Sequence, residues 1–167
     1  TSPKSKSAYM GINQAEEGLM QREEARQRSI EIVQAAGFDL EQMPYVSLGS
    51  KGGWNGWEVR VSQIPGDEQR TPGVMLDLAN DGAVRYMEYL GEPTEAAIGA
   101  AISEQRAQEI ALAFMTQYVD AEGEAACTAQ AEDSHWKVTF EGQADQQPCE
   151  VWIDNQTGAV LLVETFT

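Results

Sequence analysis

The stretch 82–88, Gly-Ala-Val-Arg-Tyr-Met-Glu, returns 76 positions later as 158–164, Gly-Ala-Val-Leu-Leu-Val-Glu. Further upstream, Trp-Glu-Val-Arg-Val at 57–61 is matched by Trp-Lys-Val-Thr-Phe at 136–140, an offset of 79. The two offsets differ only by a few residues, as loops of different length would cause. A repeat of this length predicts two similar small domains rather than a solenoid of short units.

Each copy opens with a helical pattern. Apolar and small residues recur at spacings of three and four at 25–36 and again, 82 positions later, at 107–118. This spacing predicts one amphipathic helix in each copy. Gly37 is the expected C-terminal stop of the first helix, and Ser103 is the expected N-cap of the second.

A strand pattern follows each helix. From Trp57 and from Trp136, large apolar residues alternate with polar ones, which predicts strands whose tryptophans face a core. Gly82 and Gly158 complete predicted hairpin turns, where a positive φ is needed. The pattern therefore predicts an α+β fold of two similar units, each with one helix packed on an antiparallel meander sheet of three or four strands.

The breaks between these patterns set the expected domain boundaries. We expect a first domain at 13–91 and a second at 102–167, because a Gly-Glu-Pro-Thr break follows the first copy. Asn13, with Glu16 three residues later, predicts a capping box. We expect a flexible linker at 1–12, because its first seven residues are polar and basic. This composition is typical of a linker that follows a targeting or anchoring segment, and the remnant of a tag has the same composition.

Charge is the unusual part of the composition. Among 167 residues, 27 Asp and Glu stand against 11 Lys and Arg, giving a net charge of −16 and a pI near 4.2. Such a surface repels phosphate backbones and anionic lipids, so we expect no nucleic-acid partner. The chain has no apolar stretch of about 18 residues, so we expect no membrane insertion. The charge favours a basic partner or serves only solubility.

The two cysteines, Cys127 and Cys149, both lie in the second copy. An even number of cysteines within one small domain predicts a disulfide and an oxidising compartment. In the chain-entropy model, a bond closing a loop of this length would contribute about 3 kcal/mol. Two buried free thiols are the alternative.

Chemistry-bearing residues are sparse. His135 is the only histidine, and its position in a strand beside Trp136 predicts an exposed side chain rather than a catalytic base. One histidine and two cysteines without close ligand spacing do not indicate zinc, and the Asp-rich turns fit hairpins better than calcium loops. We therefore expect no enzymatic activity, no cofactor and no metal site.

Trp54 and Trp152 are the candidate partner-binding residues. Trp54 lies in a glycine-rich loop, and Trp152 alternates with Val151 and Ile153. An exposed tryptophan is a common anchor of a protein interface. A packed contact between the two domains would explain the same pattern.

The helix at 102–114 and the stretch 151–160 resemble PepSY-like domains. In that family a first helix leads into strands that end in V-x-V-D-x-x-T-G-x-V, and here 151–160 reads Val-Trp-Ile-Asp-Asn-Gln-Thr-Gly-Ala-Val. The first copy fits more loosely, at 76–84. The resemblance implies a tandem pair of units with a cystatin-like fold. It also implies a secreted or cell-envelope protein, often a bacterial lipoprotein, that binds or restrains a peptidase or another partner and has no catalytic residues.

These observations predict a non-catalytic, extracytoplasmic protein that binds or modulates another protein, such as a peptidase. The alternative is a small-ligand-binding module that uses a cleft between the two domains. A deep cleft with convergent polar groups would favour the ligand. A flat, acidic surface with aromatic residues would favour a protein partner.

Overall fold

The computed structural model describes residues 20–50, 56–65, 72–91, 101–119, 127–141 and 148–165. These residues form two helices and eight strands. In chain order the elements are α1 Arg22–Ala35, β1 Tyr45–Ser50, β2 Gly56–Ser62, β3 Gly73–Ala79, β4 Val84–Leu90, α2 Glu104–Tyr118, β5 Cys127–Ala131, β6 His135–Phe140, β7 Cys149–Asp154 and β8 Val160–Glu164. We call residues 20–91 the first half and residues 101–165 the second half.

The helix limits follow from local chemistry. The Glu24 carboxylate accepts a hydrogen bond from the Gln21 N–H at 3.2 Å at the start of α1, and Gly37 ends that helix with φ +102°. The Ser103 hydroxyl oxygen accepts from the Arg106 N–H at 3.1 Å at the start of α2. The predicted stop at Gly37 and the predicted cap at Ser103 are thus confirmed. The capping box expected near residue 13 lies outside the described residues.

The expectation of two separate units, each with its own sheet, is wrong. All eight described strands form one antiparallel sheet in the order β1-β2-β3-β4-β8-β7-β6-β5. The last strand of the first half pairs with the last strand of the second, with Met87 opposite Val163. The repeat pattern predicted the meander within each half. It could not show that the last strand of one half, β4, pairs with the last strand of the other, β8.

The joint between the halves is self-complementary. Tyr86 lies opposite Glu164, and Glu88 lies opposite Leu162. Because the offset in these strands is 76, Leu162 is the counterpart of Tyr86 and Glu164 is the counterpart of Glu88. The two halves are therefore related by an approximate two-fold axis through the Met87–Val163 pair.

The matched tryptophans make matched contacts. Trp57 Nε1 donates to the Met20 carbonyl at 3.0 Å, and Trp136 Nε1 donates to the Ile102 carbonyl at 3.1 Å. Met20 and Ile102 each precede the N-cap residue of their helix. Both indoles are half-buried and pack against the core, so each tryptophan fixes the start of a helix to the sheet.

Both helices lie on the same face of the sheet. Cross-strand partners share a face, and one row of partners crosses both halves with every side chain 1% exposed or less: Val59, Leu76, Met87, Val163, Val151 and Val138. Helix α1 lies over β1, β2 and β3, and α2 lies over β5, β6 and β7. Neither of these helices is long and apolar enough to cross a membrane.

The structure has two free thiols in place of the expected disulfide. Cys127 lies opposite Phe140, and Phe140 lies opposite Cys149, so strand β6 separates the cysteines. Two strand spacings amount to about 10 Å, and a disulfide needs Cα atoms within about 7 Å. Chain spacing alone could not show that a strand lies between them. Cys149 instead packs in the core, with Sγ 3.5 Å from Met115 Sδ.

Candidate functional site

The face of the sheet opposite the helices carries the polar half of each strand pattern. We call it the open face, because no described element packs against it. It consists mainly of two rows of cross-strand partners. One row holds Arg60, Met75, Glu88, Leu162, Trp152 and Lys137, and the other holds Glu58, Asp77, Tyr86, Glu164, Glu150 and Thr139.

Carboxylates dominate the second row. Glu58 lies directly opposite Asp77, and Glu164 lies directly opposite Glu150, with Tyr86 between the two pairs. Like charges placed directly opposite one another across strands destabilise a sheet. The second row therefore concentrates negative charge on the open face, most clearly at Glu164 and Glu150.

Tyr86 is fixed within this row. Its hydroxyl donates to Glu88 Oε1 at 2.6 Å. Burial raises the Tyr86 pKa above its ordinary value, and Glu88, Glu164 and Asp77 raise it further. The phenol consequently stays neutral, and its role on the open face is that of a hydrogen-bond donor with an aromatic ring.

Trp152, a candidate partner-binding residue, lies on the open face and is half-buried. Its indole N–H donates to Glu150 Oε1 at 2.7 Å. The His135 ring stacks on the indole with centroids 4.1 Å apart and planes 17° apart. These two contacts hold Trp152 in one orientation, and such preorganisation reduces the entropy cost of burying a side chain in an interface.

The expectation that His135 is exposed is wrong, since the ring is half-buried by its stacking on Trp152. Burial lowers the His135 pKa, although Glu132, Glu150 and Asp154 act in the opposite direction. The sequence pattern placed His135 on the correct face but could not show its aromatic neighbour, Trp152, on the adjacent strand β7. Within the part of the chain that the structure describes, no three His, Cys, Asp or Glu residues converge as a metal site.

A depression of about 350 Å³ lies over β1 and β2 on the open face. It is bordered by Ser47, Gly49, Glu58, Arg60 and Met75. A Cβ atom at Gly49 would meet no atom within 4 Å, so the depression is open at this glycine. Arg60, only 7% exposed, lines part of this depression. Trp54, the other candidate anchor, lies outside the described residues.

A second depression, of about 270 Å³, lies where the two halves meet on the helix side of the sheet. Phe38 and Tyr89, stacked with centroids 4.9 Å apart, border it from the first half. Asp154 and Leu161 border it from the second. Asp154 is 2% exposed, and its Oδ1 accepts from backbone N–H groups of its own turn. Its carboxylate is thus used by the turn, and the depression is smaller than the usual 300–1,000 Å³ of ligand sites.

The sequence identified Trp152 but missed the contribution of Tyr86 and Arg60 to the site. Both residues occupy the polar positions of their strands, and that signal was visible. What the alternation could not show is that the polar faces of the two halves become one continuous surface, because this depends on the β4–β8 pairing.

Comparison with known proteins gives no relative: no family model, no curated protein and no solved structure matches this chain. The resemblance to PepSY-like domains therefore remains a prediction from the sequence.

Proposed function

We propose that this chain is a non-catalytic binding protein whose open face takes a basic surface of another protein. The observation that carries the proposal is the row of carboxylates around Tyr86, next to the pre-oriented Trp152, on a sheet face that no described element covers. Clustered carboxylates attract a cationic partner, and a fixed tryptophan supplies the apolar anchor.

The size of the open face fits a protein partner. Eight strands about 4.8 Å apart and about six residues long form a surface of about 34 by 20 Å, or about 700 Å². A standard interface buries about 800 Å² on each partner. The net charge of −16 would also accelerate association with a basic protein, and added salt would slow it.

The partner class and the location are part of the same proposal. The resemblance to PepSY-like domains makes a peptidase the first partner to test and supports an extracytoplasmic location, secreted or held at the cell envelope. The two free thiols remove the disulfide from this argument.

A small-ligand site at the junction of the halves is the second candidate. The stacked Phe38 and Tyr89 rings beside the smaller depression favour it. We place it second because the buried acid there, Asp154, is already bonded within its own turn.

The test is a capture experiment on a cell-envelope fraction with three baits. The first is the wild-type chain, and the second carries Trp152→Ala and Glu164→Lys on the open face. The third carries Leu112→Ala and Glu41→Lys, a matched change at exposed positions away from that face. A protein held by the first and third baits but lost by the second, at least about tenfold as for an interface anchor, supports the proposal.

Equal capture by all three baits would contradict it, as would the absence of any protein retained by the wild-type bait. Titration of the captured protein against the purified chain at 50 and 300 mM salt then tests the electrostatic part. Affinity that does not fall with salt is inconsistent with an acidic site for a basic partner.

A further inference from the structure

The two edge strands of the sheet, β1 and β5, are both without the usual protection of edges. Neither Tyr45–Ser50 nor Cys127–Ala131 contains a charged residue or a proline. Charged side chains and proline normally prevent another strand from pairing with an exposed edge. The two edges nevertheless differ in what lies against them.

The outward backbone groups of β5 follow from its hairpin with β6. The Glu132 N–H donates to the His135 carbonyl at 2.9 Å, which makes this pair hydrogen-bonded. Hydrogen-bonded and non-hydrogen-bonded pairs alternate along an antiparallel ladder. Ala131, Ala129 and Cys127 are therefore in non-hydrogen-bonded pairs, so their N–H and C=O groups point away from β6, toward the outer edge.

At the matched edge of the first half, an arginine covers the strand. Arg22 Nη1 donates to the Leu48 carbonyl at 3.3 Å, and the guanidinium carbon lies 5.3 Å from the centroid of Trp57. Leu48 is the counterpart of Ala129, because Leu48 lies opposite Val59 and Ala129 lies opposite the matched Val138. The backbone groups of Leu48 therefore also point toward the outer edge, at the middle of β1. The middle of the β1 edge is thus occupied by a side chain of α1.

The second half has no such arginine. Arg22 is the first residue of α1, and the first residue of α2 is Glu104, 82 positions later. A carboxylate cannot donate to a carbonyl, so Glu104 cannot cover Ala129 as Arg22 covers Leu48. Among the described residues, no strand pairs with the outer edge of β5.

We infer that the β5 edge is a strand-addition site that takes an extended, basic segment of a partner protein. Backbone bonds to Cys127, Ala129 and Ala131 would supply the binding energy. Glu132 and Asp133 lie exposed at one end of β5, and Glu141 lies exposed across from the other end, so the flanks favour a cationic segment. Two copies of this chain, each with a net charge of −16, repel one another.

This inference concerns an edge rather than the open face, and it does not depend on the proposed function. A partner strand at this edge would extend the same sheet to a ninth strand.

The test uses the nine-residue peptide Lys-Val-Thr-Val-Lys-Val-Thr-Val-Lys and amide hydrogen exchange by NMR. The saturating peptide is expected to slow exchange of the Cys127, Ala129 and Ala131 amides by at least about tenfold, since strand pairing protects the donors. The same peptide with N-methylated backbone amides is expected to have no effect. A lack of protection at these amides would overturn the inference. Protection of the same amides without peptide would also overturn it, whether it is constant, as from cover within the chain, or rises with protein concentration, as from self-association.

A reciprocal exchange of the two helix residues separates edge pairing from plain charge attraction. Glu104→Arg is expected to weaken peptide binding at least about fivefold by covering Ala129, and Arg22→Glu is expected to let the peptide protect the Leu48 amide. Glu109→Arg, an equal charge change at another exposed position of α2, serves as the control. An equal loss from Glu104→Arg and Glu109→Arg would overturn the inference, as would protection of Leu48 in the wild-type chain. Unchanged near-UV circular dichroism checks that each variant is folded.

Discussion

The two halves of the sheet share the residues that shape the backbone and differ in those that lie around it. Trp57 and Trp136 hold the two helix starts through equivalent hydrogen bonds. Gly82 and Gly158 turn the matched hairpins with φ of +89° and +79°. The first residue of the helix differs: Arg22 covers the β1 edge, whereas Glu104 at the same position in the second half leaves the β5 edge uncovered. The residues that the halves share specify the fold, whereas the residues that differ between the halves change what each sheet edge can bind.

The cores show the same division. Cys149 and Met115 are in contact in the second half. The counterpart of Cys149 is Val74, because Cys149 lies opposite Phe140 as Val74 lies opposite the matched Val61, and the counterpart of Met115, 82 positions earlier, is Val33. All four side chains are fully buried. Burial therefore constrains the apolar character of these positions more than the identity of the residues.

The helices also differ at the centre of the molecule. Arg28 of α1 donates to the Gly82 carbonyl at 3.0 Å, and its guanidinium carbon lies 5.1 Å from the ring centroid of Tyr118 in α2. The counterpart of Arg28 in α2 is Ile110, which lies beside Gly158. The same place above a hairpin glycine is thus filled by a polar contact in one half and an apolar one in the other.

The largest expected effect concerns Cys149. Burial raises its pKa from 9.0 to about 12, so at pH 8 its thiolate is about a thousandfold rarer than for an ordinary thiol. Ellman's reagent is expected to leave Cys149 unmodified in the folded chain and to titrate two thiols after denaturation. Since the folded pKa is the higher one, the stability present below pH 9 is lost as the pH rises from 9 toward 12.

Cys149→Val tests whether this position is only an apolar filler, as Val74 is in the first half. The variant is expected to keep its stability at neutral pH, within about 1.5 kcal/mol for a swap of similar volume, and to lose the alkaline decline. Rapid modification of Cys149 in the folded wild-type chain, or no thiols after denaturation, is inconsistent with the structure.

The next effect in size is at the joint of the halves. Met87→Ala removes a fully buried side chain and is expected to lower the free energy of unfolding by about 2–5 kcal/mol. Because the sheet is continuous, urea unfolding should remain a single transition with coincident fluorescence and circular dichroism curves. Two separate transitions would show that the halves are independent. Val163→Ala, at the partner position, is the matched variant and should also destabilise the chain.

Because Trp57 and Trp136 make equivalent hydrogen bonds, we expect equal losses of stability when either is replaced. Trp57→Phe and Trp136→Phe each remove one hydrogen bond to a carbonyl before a helix and are expected to cost about 1–3 kcal/mol each. Denaturant titration of both variants is the measurement. A difference of more than about 1.5 kcal/mol, the usual net value of one hydrogen bond, would break the equivalence.

The smallest effects concern glycines. Gly82→Ala and Gly158→Ala place a side chain at positive φ and are each expected to cost about 1–2 kcal/mol. Gly49→Ala has no positive φ to strain and no atom within 4 Å of the new carbon, so its stability should change by less than about 0.5 kcal/mol. A loss at Gly49 equal to that at Gly82 would contradict the backbone argument.

Local signals in the sequence gave the elements and their limits. Spacings of three and four placed both helices, and alternation from Trp57 and Trp136 placed the strands, because these periods report which side of an element is buried. The hairpin turns at Gly82 and Gly158 followed from the need for positive φ. These features depend on residues close together in the chain.

The features that the sequence did not give depend on partners far apart in the chain. Strand pairing between β4 and β8 turned two expected sheets into one. The position of β6 between Cys127 and Cys149 excluded the disulfide, and the stacking on Trp152 buried His135. Of the site, Trp152 was foreseen on the correct face, whereas the continuity of the open face required the joint.

Both the single sheet and the continuous open face depend on the pairing of β4 with β8. Its direct measurement is the set of nuclear Overhauser contacts between backbone protons of Tyr86–Glu88 and Leu162–Glu164 in the labelled chain. We expect cross-strand contacts in the antiparallel register with Met87 opposite Val163. Contacts confined to each half, together with fast amide exchange along both strands, would contradict the account.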